Sequence, residues 1–287
     1  MTLKEACLYG KAVLEEAGIA ESALDAWYLL EYVTGVSRSH FLAWPEEAIS
    51  QEQEARYREA VEKRANHIPL QHITGEQEFM GLTFQVNEHV LVPRQDTEVL
   101  VEETLKYLKP GMRFLDLCTG SGCILLSLLH FCPGAEGVGA DVSPEALQIA
   151  EANRKSLLKT EAGQDVPVSQ ATLVESDLFA QVEESFELIV SNPPYIRSAE
   201  IRNLMEEVRL HDPLQALDGH EDGLYFYRNI TAKSRAYLKP GGWLLFEIGY
   251  DQGAEVSGIL SENGFCEIEV IKDLAGLDRV VKGKYPG

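Results

Sequence analysis

From residue 113 to residue 284, short apolar runs alternate with stretches of helical periodicity, and this alternation constrains the fold more than any other feature of the chain. The runs at 113–117, 137–142, 171–175, 186–191 and 242–248 read as buried strands. Helical patterns fall at 122–131, 144–157, 223–237 and 252–263. A strand that returns parallel to its predecessor needs a crossover, and a helix is the usual one. The pattern therefore predicts an α/β domain with a mostly parallel sheet and helices on both faces. Two last strands, 266–272 and 279–284, are separated only by a turn, which predicts one antiparallel strand near the C-terminus.

The first 75 residues are of another kind. Thr2 and Glu5 form a capping-box pattern ahead of apolar positions at Ala6, Tyr9, Val13, Leu14 and Ala17, with Gly18 as a stop. Ser22 and Asp25 open a second helix that ends near Gly35, and Ser50 with Gln53 caps a third that runs to about Asn66. These patterns predict a small all-helical domain over 1–75 that packs or docks a partner. In 76–92, Phe79, Leu82, Phe84 and Val86 fall largely on alternate positions, and Asn87-Glu88-His89 is read as the turn of a β-hairpin linking the domains. Residues 93–287 form the second domain, entered through a helix over 99–108 with Asp96 or Thr97 as its cap.

Composition excludes several function classes. The net charge is −21, with 7 Lys and Arg against 15 Asp and Glu in residues 1–92 and 18 against 31 in the remainder. A chain that grips a phosphate backbone needs a basic face, so no direct nucleic-acid partner is expected. The longest apolar stretch, CILLSLLHFC at 123–132, is about half of what a bilayer crossing needs. The N-terminus is unlike a targeting peptide, and a cytoplasmic, monomeric protein is expected. Five cysteines without a C-x-x-C pair read as reduced side chains, and the scattered histidines predict no metal site.

The chemistry is concentrated at strand ends. The strand FLDL runs into Asp116, Leu117, Cys118, Thr119, Gly120, Ser121 and Gly122, and a helix follows. Small residues at such a junction let a ligand approach free backbone N–H groups. The loop is not G-x-G-x-x-G, so a pyrophosphate fits it poorly. Asp141, ending the next strand, suits a ribose diol. Together these point to an adenosine ligand without a diphosphate, S-adenosylmethionine, with Asp116 near its ammonium group and Asp177 near the adenine amine.

The fourth strand ends in Ser191-Asn192-Pro193-Pro194-Tyr195. Alone, this reads as a stiff turn. At the carboxyl edge of the sheet beside 118–122, it suits methylation of a planar NH2 group. An amide nitrogen is a poor nucleophile because its lone pair is delocalised. Two acceptors, the Asn192 side-chain oxygen and the Pro193 carbonyl, can hold its two hydrogens. Pro194 restricts Pro193 to an extended conformation and so aims that carbonyl. Tyr195 can lie flat on the acceptor group and tolerates a neighbouring cation.

DLCTGSG, GADVSPEAL, ESDLF and SNPPYI, in this order, resemble the class I S-adenosylmethionine-dependent methyltransferases acting on planar NH2 groups. More narrowly, PLQHITGEQEF, VLVPRQDTEVLVE, ALDGHEDGLYFYRNI and AGLDRVV resemble the HemK/PrmC family, the peptide chain release factor glutamine N5-methyltransferases. Gln95, where that family commonly has Pro, and Asp212, where Glu is usual, depart from it. The resemblance implies a Rossmann-like class I methyltransferase sheet. It implies S-adenosylmethionine as cofactor and S-adenosylhomocysteine as product. The implied substrate is the glutamine of the Gly-Gly-Gln loop in class I release factors. It puts Cys118 to Gly122, Asp141, Leu178 and Asn192 on cofactor-binding positions and Asn192 to Tyr195 on substrate-binding ones, with Asn192, Pro193 and Tyr195 catalytic. The alternatives are a ribosomal-protein glutamine and, against the charge balance, an adenine N6 amine.

Overall fold

The computed structural model describes residues 1–158 and 170–287. The chain divides into two compact units, one of residues 1–76 with 205–211 and one of residues 77–204 with 212–287.

The first unit contains α1 (Leu3–Glu16), α2 (Ser22–Thr34), α3 (Arg38–Ala43), α4 (Gln51–Ala65) and α5 (Leu70–Thr74). Thr2 and Ser50 close capping boxes with Glu5 and Gln53, and Gly35 ends α2 in the left-handed region. Apolar faces at helical spacing meet in one core around Leu14, Trp27, Leu30, Tyr57 and Val61. The short α3 and α5 escape the periodicity reading, because a helix of one or two turns shows too little pattern. Asp25 does not cap α2. It is buried on Arg64 of α4 at 2.7 Å, and the same guanidinium reaches Glu207 at 2.7 Å. That second bond ties residues 205–211, which come from the middle of the later sequence, into this unit.

The second unit begins with the hairpin β1 (Glu76–Phe79) and β2 (Leu82–Gln85). Its turn is at Met80-Gly81, both with positive φ (53° and 71°), and not at Asn87–His89 as the alternation suggested. A two-residue loop with this backbone follows the natural twist of paired strands. Val86 and Val90 are instead packed with Ala146. The first helix of the unit, α6 (Gln95–Leu105), starts four residues before the expected position. Thr97 thus lies inside its first turn, and no side chain caps it.

The alternation then unfolds as β3 (Arg113–Leu117), α7 (Cys123–Phe131), β4 (Glu136–Asp141), α8 (Pro144–Leu157), β5 (Ala171–Glu175) and β6 (Phe186–Ser191). After α9 (Glu206–His211), which belongs to the first unit, and the short α10 (Leu214–Leu217) come α11 (Tyr225–Ser234), β7 (Leu238–Glu247), α12 (Gly253–Glu262), β8 (Cys266–Lys272) and β9 (Asp278–Lys284). The seven strands are ordered β5-β4-β3-β6-β7-β9-β8. All pairings from β5 to β7 are parallel, and β9 runs antiparallel to both β7 and β8.

Strand periodicity explains why both faces carry helices. Phe114, Leu188, Val190 and Leu245 point into one core with α6 and α7, whereas Leu115, Ile189, Leu244 and Phe246 point into the other with α11 and α12. Each such side chain is essentially fully buried, and burial of one contributes about 1.5–3 kcal/mol. Chain reversal between β4 and β6, on either side of β3, opens a crevice at the carboxyl ends of the strands. Among the described residues, no helix is long and apolar enough to cross a membrane.

Candidate active site

The carboxyl ends of β3, β4, β5 and β6 surround one cleft. Of the residues singled out in the sequence, Cys118, Thr119, Gly120, Ser121, Asp141, Asp177, Leu178, Asn192 and Pro194 line it. Asp116, Gly122, Pro193 and Tyr195 are not among the lining residues.

Three bonds set the shape of the loop after β3. Thr119 N–H donates to Ala140 O at 3.1 Å, Gly122 N–H to Thr119 O at 2.8 Å, and Gly120 N–H to the Asp141 carboxylate at 2.9 Å. Cys118 has φ 60°, a left-handed backbone that costs a side-chain-bearing residue energy and is held here by its surroundings. Gly122 has φ 78°, and a Cβ there would meet Leu126 at 3.3 Å and Ala150 at 3.4 Å. Only glycine meets both demands at this helix start.

Asp116 lies under this loop rather than in the cleft. Its Oδ2 accepts from Thr119 Oγ1 at 2.6 Å and from Leu125 N–H at 3.2 Å, while Oδ1 is buried without a partner. Burial pushes this carboxyl up to about 7, against the lowering effect of those two bonds. Asp141 is also raised by burial, and its oxygens accept one backbone N–H each, from Gly120 and Ser143 (2.9 and 3.0 Å). A carboxylate oxygen has two acceptor directions, so each keeps one for a ligand. Cys118 is half-buried, and its desolvated thiol is raised, which keeps it neutral and a poor nucleophile.

Leu178 follows Asp177 with φ 51°, and its carbonyl accepts from Ser176 Oγ at 2.8 Å. Ser191 Oγ donates to Leu117 O at 2.8 Å and binds the ends of β6 and β3 together. Immediately after it, Asn192 Nδ2 donates to Thr97 Oγ1 at 3.3 Å. Pro193 and Pro194 are buried and Tyr195 is half-buried. The Tyr195 hydroxyl donates to Glu247 Oε1 at 3.4 Å, and its carbonyl accepts from Gln252 Nε2 at 3.1 Å. Glu247 is fully buried, and burial raises its carboxyl to about 7 despite nearby Arg279.

Sequence reading misses Asn153, the buried clamp of α8. Its Nδ2 donates to Ser121 O at 2.9 Å and to Gln85 O at 3.0 Å, and its Oδ1 accepts from Gln85 N–H at 2.7 Å. A lone Asn inside a charged amphipathic helix carries no local signal. Arg94 and Thr97 also line the cleft, and Arg94 is paired with the buried Asp212 at 2.9 Å.

The doubly wound sheet with one reversed strand, and a cleft of acids, small residues and Asn-Pro-Pro-Tyr at its strand ends, define the class: an α/β methyltransferase of the class I type. A family described as "PrmC N-terminal domain" matches residues 5–75, and "Methyltransferase small domain" matches residues 95–273. The chain is 40% identical to the release factor glutamine methyltransferase of Clostridium acetobutylicum, over 98% of this chain and 98% of that protein. It is 42% identical to the protein of the same name from Caulobacter vibrioides, over 99% of this chain and 96% of that one. A methyltransferase from Pyrococcus furiosus shares the fold, at TM-score 0.53 and 18% identity over 73% of this chain and 91% of its own. The chain belongs to the release factor glutamine methyltransferase family.

Proposed function

We propose that this protein transfers a methyl group from S-adenosylmethionine to the side-chain amide nitrogen (N5) of the glutamine in the Gly-Gly-Gln motif of class I release factors. The observation that carries this reading is the convergence of Asn192 and Pro194 with the 118–121 loop, Asp141 and Leu178 on one cleft.

The residues fit the cofactor. Asp141 keeps an acceptor direction on each oxygen for the two hydroxyls of a ribose. Asp177 stands at the cleft wall for the adenine amine, beside Leu178. The unpartnered Oδ1 of Asp116 lies beneath the loop, where a bound ammonium group would favour the ionised form of this carboxyl. When bound, S-adenosylmethionine supplies an electrophilic methyl group on a sulfonium.

Asn192 Oδ1 and the Pro193 carbonyl accept the two hydrogens of the substrate amide. They hold its nitrogen in place and favour the positive charge that develops there during attack. Pro194 keeps the Pro193 carbonyl aimed, because the residue before a proline is confined to extended backbone. Tyr195, half-buried just beyond the cleft, offers an aromatic face to the planar amide. No base needs to act before attack, because the acidic proton exists only once the nitrogen has been alkylated. The test is to incubate the protein with cofactor and a release factor, then weigh the Gly-Gly-Gln peptide. A gain of one methyl group supports the reading, and no gain with native release factor refutes it.

A further inference from the structure

An Asn side chain can present either its oxygen or its NH2 group to the same point, because the two are nearly equal in size. Only the oxygen can accept a hydrogen from a substrate amide. What decides the orientation of Asn192 lies 95 residues away in the sequence, in Thr97, which is 3% exposed in the first turn of α6. Thr97 Oγ1 accepts from Asn192 Nδ2 at 3.3 Å. The Thr97 hydroxyl also lies close to the carboxylate of Glu247 at the end of β7, whose ionised form it favours. Once ionised, above about pH 7, that carboxylate can only accept, which favours Thr97 Oγ1 as the acceptor from Asn192. The same carboxylate accepts from the Tyr195 hydroxyl at 3.4 Å. Both ends of Asn-Pro-Pro-Tyr thus lie close to one buried acid, Tyr195 bonded to it directly and Asn192 through its contact with Thr97.

We propose that Thr97 is a positioning residue for methyl transfer. Its hydroxyl oxygen takes the Asn192 NH2 and so leaves Asn192 Oδ1 turned to the substrate amide. This rests on the role of Asn192 proposed above. The reaction itself is unchanged, and Thr97 touches neither the methyl group nor the acceptor nitrogen.

The experiment compares full-length wild type, Thr97→Val and Thr97→Ser on a release factor, measuring kcat, KM for the release factor, cofactor Kd and Tm. Valine keeps the shape and removes the hydrogen bond to Asn192, whereas serine keeps it. The expected result is a kcat for Thr97→Val reduced roughly tenfold to a hundredfold, as when a positioned polar group is lost. Cofactor Kd stays within about twofold, because Thr97 acts on the acceptor side, and Thr97→Ser recovers kcat to within about threefold of wild type. A kcat for Thr97→Val within twofold of wild type overturns the proposal. So does a Thr97→Ser kcat as low as that of Thr97→Val, since a merely structural role has no need of the hydroxyl's polarity. If Thr97→Val does not fold, Thr97→Cys replaces it, with a weak donor of similar size and an expected kcat loss of about fivefold or more. An inactive wild type defeats the assigned reaction instead, so the two failures are distinct.

Discussion

Asp141 Oδ2 accepts the backbone N–H of Gly120 at 2.9 Å, so the acid that ends β4 also closes the loop that follows β3. One side chain thereby shapes the loop and faces the cleft. Asp141→Ala removes both functions. Its cofactor Kd is expected to rise tenfold or more, a loss of ~1.4 kcal/mol or more, measured by calorimetry. Unchanged affinity would separate Asp141 from the cofactor.

Asn192 lines the same cleft. Asn192→Ala leaves the 118–122 loop and Asp141 untouched, so much of the cofactor affinity is retained. Turnover falls by on the order of 10² to 10³, comparable with loss of one preorganised hydrogen-bonding group at a reacting centre. Single-turnover methylation with saturating cofactor measures it. A fully active variant sinks the assigned mechanism.

Gly223 is packed on the main chain of Tyr195. It has φ 74°, and a Cβ there would stand 2.4 Å from Tyr195 O and 2.8 Å from Gln252 Nε2, which itself donates to that carbonyl. Gly223→Ala must push Tyr195 or break its tether to Gln252. The prediction is a Tm lower by several degrees and a kcat reduced by about tenfold. Gly18→Ala is the control, with a similar φ of 77° and open space around the position: it carries the backbone strain without the loss of kcat.

Asp116 and Glu247 are buried carboxyls, each raised to about 7. In the unfolded chain both ionise near pH 4. Below that pH they are protonated in either state, and their contribution to stability is fully present. As the pH rises from 4 to 7 the unfolded chain loses protons that the folded chain keeps, so stability falls and then levels off above 7. The total is on the order of several kcal/mol, and urea titrations of the cofactor-free protein at pH 5.5 and 8 measure it. Asp116→Asn and Glu247→Gln should flatten the dependence. Charged and ionisable groups around Glu247 are Asp96, Tyr195, Tyr227 and Arg279, so the single variants are needed to assign the slope.

In the helical unit, Asp25 and Arg64 form a buried pair with side chains 10% and 9% exposed. Asp25→Ala strands the guanidinium and is expected to cost about 3–5 kcal/mol. The fluorescence of Trp27, buried in the same core, reports the loss of this unit on heating. A change of Tm under a degree would show that Glu207 alone satisfies Arg64.

Much of the molecule is legible from local pattern. Alternating apolar runs such as Phe114-Leu115 and Leu188-Ile189-Val190 announce strands covered on both sides, and the turn-only link between the last two strands announces a reversed one. The small-residue loop at 118–122, Asp141 and Asn192 are each legible because each ends a strand. The hairpin register is not legible, since Asn87-Glu88-His89 is as plausible a turn by composition as Met80-Gly81. Residues 205–211 carry no mark of the helical unit they join.

The sequence by itself determined the doubly wound sheet, the cleft at its strand ends and the acidic, methyl-transferring character of the site. Those properties depend on period and on order along the chain. Only the tertiary structure decided that Asp116 lies beneath its loop, that Asn153 clamps Ser121 to Gln85, and that Thr97 and Glu247 meet Asn192 and Tyr195. Most of these contacts join residues far apart in sequence, and strand order and helix phase set them. A buried hydroxyl or amide leaves no periodic trace, because its partner is chosen by packing rather than by its neighbours in the chain.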